Sequence, residues 1–151
     1  KLILKNSKKN KFNAFSLRLF NVYGSRSRSD SQYSGVISIF VKKKKKGKPL
    51  TIVGDGNQTR SFIHVDDVVD AFIRVMKCKI NSQIFNIGGT SSININNLAK
   101  LIGGKKIFIP SRKGDPIASN AKIKKIKTKL GWFPKVTLKK GLKKLLKKNN
   151  I

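Results

Sequence analysis

The chain has 151 residues, enough for one domain with its own core, and a formal net charge of +29 from 35 Lys and Arg against six Asp. Its single cysteine excludes a disulfide framework or a cysteine-based metal site within one chain and suits a reducing cytoplasm. No apolar run approaches the roughly 18 residues of a membrane helix, and the N-terminal apolar stretch is too short for a signal peptide. We therefore expect a cytoplasmic protein with neither a metal nor a membrane partner.

The positive charge has two interpretations. The lysines are spread over nearly every segment, which is typical of a genome composition bias or of drift in a decaying gene. The alternative is a nucleic-acid-binding module. The first interpretation is favoured, because a dedicated nucleic-acid binder concentrates Arg beside aromatic residues or shows a known module. Non-specific adhesion to polyanions at low salt is expected in either case.

The first half of the chain predicts short strands separated by turns and helices. Short apolar runs bounded by breakers predict strands, and longer runs ending at glycine predict helices. In chain order we expect a strand at 14–22, a Ser-rich loop at 25–35, a helix at 35–47, a strand at 49–53, a tight turn at 54–56, an extended segment at 60–65 and a helix at 66–77.

The second half continues the alternation. We expect a strand at 84–87, a turn at 88–90, a helix at 92–102, a strand at 106–109, a basic helix at 122–131 and an amphipathic helix at 136–148. Because strands alternate with helices throughout, the fold class is α/β. No glycine-rich phosphate loop follows a first strand.

Three segments carry the most information about function. They are SLRLFNVYG at 16–24, TIVGDGNQTRSFIHVDDVV at 51–69, and IPSRKGDP at 109–116 with LGWFP at 130–134 behind it. In this order and spacing they resemble the extended short-chain dehydrogenase/reductase family of nucleotide-sugar epimerases, dehydratases and decarboxylases. The resemblance runs from about residue 13 to residue 148 and is closest to UDP-glucose and UDP-N-acetylglucosamine 4-epimerase-like members.

The resemblance implies a fold and a cofactor. The family joins a dinucleotide-binding half, which binds NAD, to a smaller nucleotide-sugar-binding part. Residues 1–151 match the last strands of the Rossmann-like sheet together with the small α/β substrate domain, so we expect a single partial domain. The glycine loop and the catalytic Tyr-x-x-x-Lys pair are not among these residues, and we therefore expect no catalytic residue here and no turnover by the isolated chain.

The resemblance also implies polar contacts to the diphosphate and sugars of the ligand. Arg60 and Arg112 match the diphosphate-contacting arginines, and a planar guanidinium suits phosphate because it donates two parallel hydrogen bonds. Asn21 is assigned to the substrate at the C-terminal end of a strand. Asp115 would accept a ribose hydroxyl. The alternatives are surface ion pairs for the arginines, a turn cap for Asn21 and a turn-forming Gly-Asp-Pro for Asp115.

Similar proteins bind the base near the helix that follows the long loop. Gly35, Val36 and Phe40 match those positions, and the backbone of Thr51 and Ile52 on the next strand would meet the polar edge of the base. Plain core packing is the alternative for Val36 and Phe40. A second set of residues departs from the pattern or invites another interpretation: Ser25, Ser61 and Lys122 replace the usual Pro, Asp and Asp, and His64 is interpreted as structural.

Several functions remain open at this point. A UDP-sugar 4-epimerase is the first choice for the longer or split enzyme, and a 4,6-dehydratase or a decarboxylase is the alternative. A basic nucleic-acid-binding module is the alternative of another class. The expected partners are a nucleotide-sugar and either a missing N-terminal half or a second copy in a homodimer.

Overall fold

The computed structural model describes residues 2–31, 34–80, 82–111 and 113–151. Within these ranges the helices are Leu2–Lys9 (α1), Val36–Lys45 (α2), Val65–Met76 (α3), Ile95–Ile102 (α4), Lys124–Leu130 (α5) and Leu138–Lys148 (α6). The strands are Phe15–Leu19 (β1), Val22–Tyr23 (β2), Leu50–Val53 (β3), Thr59–Arg60 (β4), Ile63–His64 (β5), Gln83–Ile87 (β6), Ile93–Asn94 (β7), Lys106–Ile109 (β8) and Ala118–Ser119 (β9). The α/β class expected from the sequence is confirmed.

The strands pair mostly in parallel and across long sequence distances. β1 pairs with β6, β2 with β5, and β3 with β8, each in parallel. β4 lies between an antiparallel β7 and a parallel β9. Parallel pairs need crossover connections, and the predicted helices supply several of them. Among the described helices, none has the length and apolar character needed to cross a bilayer.

The predicted first strand is interrupted. Its N-terminal part is β1, and Phe20 still donates its N–H to the carbonyl of Ile87 beside β6 (2.9 Å). Asn21 then adopts a positive φ of 42°, which Asn tolerates better than most residues. Its carbonyl accepts from Ile63 N–H (3.3 Å), so the chain leaves β6 and joins β5. A sheet switch therefore occurs at a residue predicted to bind substrate.

Side-chain caps set the starts of three helices. His64 Nδ1 accepts from Asp66 N–H (3.3 Å), Asn94 Oδ1 from Asn97 N–H (2.7 Å), and Thr137 Oγ1 from Lys140 N–H (3.3 Å). The prediction of a structural His64 agrees with this role. The sequence analysis missed α1, β7 and β9, and it began the fourth and sixth helices before their caps.

The core has two clusters. One is built mainly from α2, β3, α4 and α6 and includes Phe40, Leu50, Ile52 and Leu98. The other is built mainly from α3, β5, β6 and α5 and includes the buried Trp132. In the first cluster, Gly141 of α6 allows close approach of Tyr23, because a Cβ at residue 141 would meet Tyr23 Oη at 2.0 Å.

Candidate functional site

A cavity of about 500 Å³ lies beside the first core cluster. It is lined by side chains from α2, from β3 and β4, from the β1–β2 switch and from the segment between β8 and β9. Seven of the nine residues predicted from the sequence line it: Asn21, Gly35, Val36, Phe40, Thr51, Arg60 and Asp115. Residues up to 94 positions apart along the chain are thus brought to one cavity.

The two remaining predicted residues differ from these seven. Ile52 is 0% exposed and belongs to the core, because side chains alternate along a strand and its neighbours Thr51 and Val53 take the cavity side. Its predicted contact was through the backbone, and that contact stays a prediction. Arg112 lies outside the described residues.

Helix α2 supplies an apolar wall of the cavity. Val36 and Phe40 are one turn apart, and Ile39 also lines the cavity from this helix. Phe40 is fully buried, and it belongs to the core cluster as well as to the lining. Phe40 is therefore a core residue that supports the wall from behind, and the partly exposed Val36 and Ile39 form its surface. Gly35 precedes the helix, and a Cβ built on it meets no atom within 4 Å.

Arg60 supplies a cation to the cavity. It sits on the central strand of the β7–β4–β9 sheet and is half-buried. Its Nη1 donates to Thr59 O at 2.8 Å, which leaves the rest of its guanidinium donors for a ligand. No ion pair joins Arg60 to a carboxylate within the described part of the chain. The alternative of a structural salt bridge is therefore not supported for this residue.

Asn21 is held in place by its own amide. Nδ2 donates to Ser61 O at 3.0 Å and to Ser119 O at 3.3 Å, so both of its N–H groups are used. These two bonds connect the sheet switch at Asn21 to Ser61, which follows β4, and to Ser119, the last residue of β9. The polar atom left for a ligand is Oδ1, which can only accept. In this arrangement Asn21 suits a hydroxyl donor such as a sugar, and it does not suit a phosphate oxygen.

Asp115 brings a carboxylate to the same cavity. It is exposed and follows Gly114, whose φ of 87° favours glycine at that turn. The turn-forming role and the cavity-lining role are therefore compatible. Among the described residues, no group of three or more His, Cys or Asp side chains could hold a metal ion.

The sequence analysis missed six polar residues that line the cavity, among them Lys43 and Gln58. Lys43 lines it from α2, and its Nζ donates to Thr51 Oγ1. Gln58 lines it too, and its Nε2 donates to Val53 O at 2.8 Å. A signal for Lys43 was available, since Val36, Phe40 and Lys43 have the i, i+4, i+7 spacing of one helical face.

The three residues that stand where the family usually has Pro or Asp each take part in a hydrogen bond. Ser61 is 2% exposed, and its Oγ accepts from Ala121 N–H at 3.0 Å, which ties β4 to the segment after β9. Ser25 Oγ accepts from Lys148 Nζ at 3.4 Å. The Lys122 carbonyl accepts from Asn86 Nδ2 at 3.4 Å. The backbone around Arg60 is therefore tied down without an acid at residue 61.

The strand pairs are mostly parallel and the cavity lies beside the ends of β3 and β8, an arrangement typical of ligand sites in α/β folds. The model of the NAD dependent epimerase/dehydratase family matches residues 1–88, more than half of the chain. The chain belongs to this family.

Three individual matches support that assignment. A putative UDP-glucose 4-epimerase of Methanocaldococcus jannaschii is 38% identical over 142 residues, 89% of this chain and 45% of that protein. UDP-glucuronic acid decarboxylase 4 of Arabidopsis thaliana is 38% identical over 136 residues, 86% of this chain and 30% of that protein. The crystal structure of UDP-glucose 4-epimerase from Thermotoga maritima with UDP-glucose has a TM-score of 0.90 and 34% identity, over 99% of this chain and 51% of that one. The chain thus spans about half or less of these relatives.

The family is NAD dependent, and one feature tests whether the described residues fit that cofactor. Gly88 and Gly89 follow β6 at the C-terminal edge of the parallel pair, where a pyrophosphate could approach a glycine turn. A Cβ on Gly88 would meet Ala121 Cβ at 2.3 Å, and one on Gly89 would meet Phe62 O at 2.3 Å. Protein atoms fill the space beside these glycines. The pair does not fit a cofactor cradle, and no chemical step is derived through NAD.

Proposed function

We propose that the cavity binds a UDP-sugar and that residues 1–151 form a single partial domain, the nucleotide-sugar-binding half of an NAD-dependent sugar 4-epimerase. One observation carries the proposal: residues predicted from separate motifs line one cavity that holds Arg60 and an apolar wall. A nucleoside diphosphate sugar needs a cation for its diphosphate, an apolar surface for its base and acceptors for its hydroxyl groups. Arg60 offers the cation, Val36 and Ile39 offer the apolar surface, and Asp115 offers an acceptor.

In this proposal the chain's own residues bind and orient the ligand. Arg60 neutralises part of the diphosphate charge with its remaining N–H donors. Asn21 Oδ1 accepts from a sugar hydroxyl, and the Asp115 carboxylate accepts from a ribose hydroxyl. The redox chemistry of the family's reaction would be supplied by NAD, and the role proposed for residues 1–151 is to bind and orient the sugar nucleotide. We expect the isolated chain to bind without turnover.

A substitution of Arg60 tests the proposal. Titration calorimetry of UDP into the full chain should give saturable binding at physiological ionic strength, where exposed charges are largely screened. Arg60→Met should weaken that binding by ~10-fold to 100-fold, since a hydrogen bond to a charged group contributes about 1.5–3 kcal/mol. Arg74→Met is the matched control, because it removes the same charge from an exposed site on α3.

Two outcomes would point elsewhere. If single-stranded RNA displaced UDP and the two arginine variants behaved alike, the basic nucleic-acid-binding module would be the better description. If UDP-glucuronic acid bound much more tightly than UDP-glucose, a decarboxylase would be favoured over a 4-epimerase. The 38% identity to an Arabidopsis protein named UDP-glucuronic acid decarboxylase supports keeping this second candidate.

A further inference from the structure

Lys43 occupies an unusual position for a lysine in this chain. Most of the lysines are exposed, whereas Lys43 is half-buried and lines the cavity. It lies on the same face of α2 as Val36 and Phe40, at a rise of about 10 Å from Val36 along the helix axis. The apolar wall of the cavity therefore continues into an ammonium group.

The Lys43 ammonium has a defined neighbour on β3. Its Nζ donates to Thr51 Oγ1, and Thr51 also lines the cavity. Within the described ranges, no ion pair joins Lys43 to a carboxylate. An ammonium has three N–H donors and no acceptor, so two donors remain after the bond to Thr51.

The segments that line the cavity differ in the polarity of the side chains they contribute. The β1–β2 switch, β4 and the segment after β8 contribute Asn21, Arg60 and Asp115, whereas α2 and the cavity side of β3 contribute mainly apolar side chains. A planar base packs best against apolar side chains such as Phe40. Among the lining residues of α2, Lys43 is the one that is charged.

We infer that Lys43 is a specificity-determining residue that selects a base carrying a carbonyl oxygen at ring position 4, uracil or thymine, over cytosine. The inference rests on the proposed function, because it requires that the cavity take a pyrimidine nucleotide. An ammonium donor matches the O4 acceptor of uracil. Cytosine has an amino group at the same position, so that two donors would face each other and the half-buried ammonium would lack an acceptor on the base.

A purely structural role makes a different prediction. If Lys43 served only to tie α2 to β3, its loss would lower stability and weaken UDP and CDP equally. Lys44 is a matched control for this possibility. It is the next residue on α2, its Nζ donates to Ile102 O, and it is not among the residues that line the cavity.

The test measures the dissociation constants of UDP and CDP by calorimetry for the full chain and its variants, beside thermal unfolding. We expect the unmodified chain to prefer UDP by ~10-fold or more, as one charge-assisted hydrogen bond contributes about 1.5–3 kcal/mol. Lys43→Met should remove most of that preference, mainly by weakening UDP. Lys44→Met should keep it.

A second variant covers the case in which Lys43→Met does not fold. Lys43→Gln presents an amide that can donate or accept, so CDP should come within ~3-fold of UDP, a residual difference below about 1 kcal/mol. An unchanged preference in either folded variant, or an equal loss for both nucleotides, would overturn the inference and leave the UDP site intact. Failure of the unmodified chain to bind UDP at all would instead overturn the proposed function.

Discussion

The apolar residues of this molecule are arranged differently in two regions, called here the cavity region and the sheet region. In the cavity region, α2, β3, α4 and α6 enclose a core and leave a lined cavity beside it. In the sheet region, α3 packs one face on the second core cluster and exposes an apolar stripe on its other side. The stripe residues, which lie 38% to 82% exposed at i, i+4, i+7, i+8 and i+11, are Val65, Val69, Phe72, Ile73 and Met76.

The two regions present different kinds of surface, a lined cavity and an exposed apolar helix face. The cavity is lined by side chains whose binding chemistry is proposed above. An exposed apolar helix face of this extent is typical of an interaction surface. Strand β1 provides a second uncovered surface, because in the described structure this strand pairs on one side only, with β6. The cavity region carries the residues proposed to bind the ligand, and the sheet region carries the exposed apolar surface.

The largest changes in stability are expected when one large buried side chain is removed from each region. Phe40 and Phe85 are both 0% exposed, one in each cluster. Phe40→Ala and Phe85→Ala should each lower the free energy of unfolding by about 3–5 kcal/mol, measured by urea denaturation. At temperatures where both variants are folded, UDP binding should be lost in Phe40→Ala and kept in Phe85→Ala. Equal loss of binding would show that the two regions are not separable.

A smaller effect on stability is expected from a substitution of Tyr23, which lies where the two regions meet. The Tyr23 ring packs edge-on against the His64 ring, with 5.3 Å between the ring centroids, and its buried hydroxyl has no hydrogen-bond partner among the described residues. Burial, with a lesser contribution from the Asp67 carboxylate, raises the pKa of Tyr23 to about 12. Tyr23→Phe should therefore leave stability at pH 7 unchanged or raise it by about 1 kcal/mol, because it removes an unpartnered polar group.

The same variant has a pH signature. Folding favours the neutral phenol, so the stability that this group contributes is complete below its unfolded pKa of 10.0 and is lost as pH rises toward about 12. The difference in unfolding free energy between the parent chain and Tyr23→Phe should be constant up to about pH 9 and then shift in favour of Tyr23→Phe. A flat difference up to pH 12 would contradict the assigned cause. Comparing variants cancels the titration of the many lysines.

The smallest change in stability is expected on the α3 stripe. Met76→Gln should alter the free energy of unfolding by less than about 0.5 kcal/mol, because Met76 is 82% exposed. It should nevertheless reduce concentration-dependent self-association, measured by sedimentation velocity, and leave UDP affinity unchanged. Ile117→Gln is the matched control, since Ile117 is exposed but lies outside the stripe. Equal effects of the two variants would mean that the stripe is not a specific surface.

Several features could be predicted from the sequence because they depend on neighbours a few residues away. The periodic leucines of α6, the glycine turn at Gly54 and the apolar run of β8 are of this kind. The motif resemblance added Arg60 and Asn21 as site candidates before any geometry was known. Within these limits the α/β class and seven lining residues of the cavity followed from the sequence.

Other features were decided only by tertiary structure. The break at Asn21, the use of its amide by Ser61 and Ser119, and the placement of Lys43 beside Thr51 all depend on segments far apart along the chain. Local patterns cannot specify which strand becomes the partner of another, because pairing is selected by the packing of the whole core. Local sequence patterns were therefore enough for most of the elements, and the motif resemblance for most of the candidate ligand groups. Long-range packing decided which atoms of those groups remain free to bind.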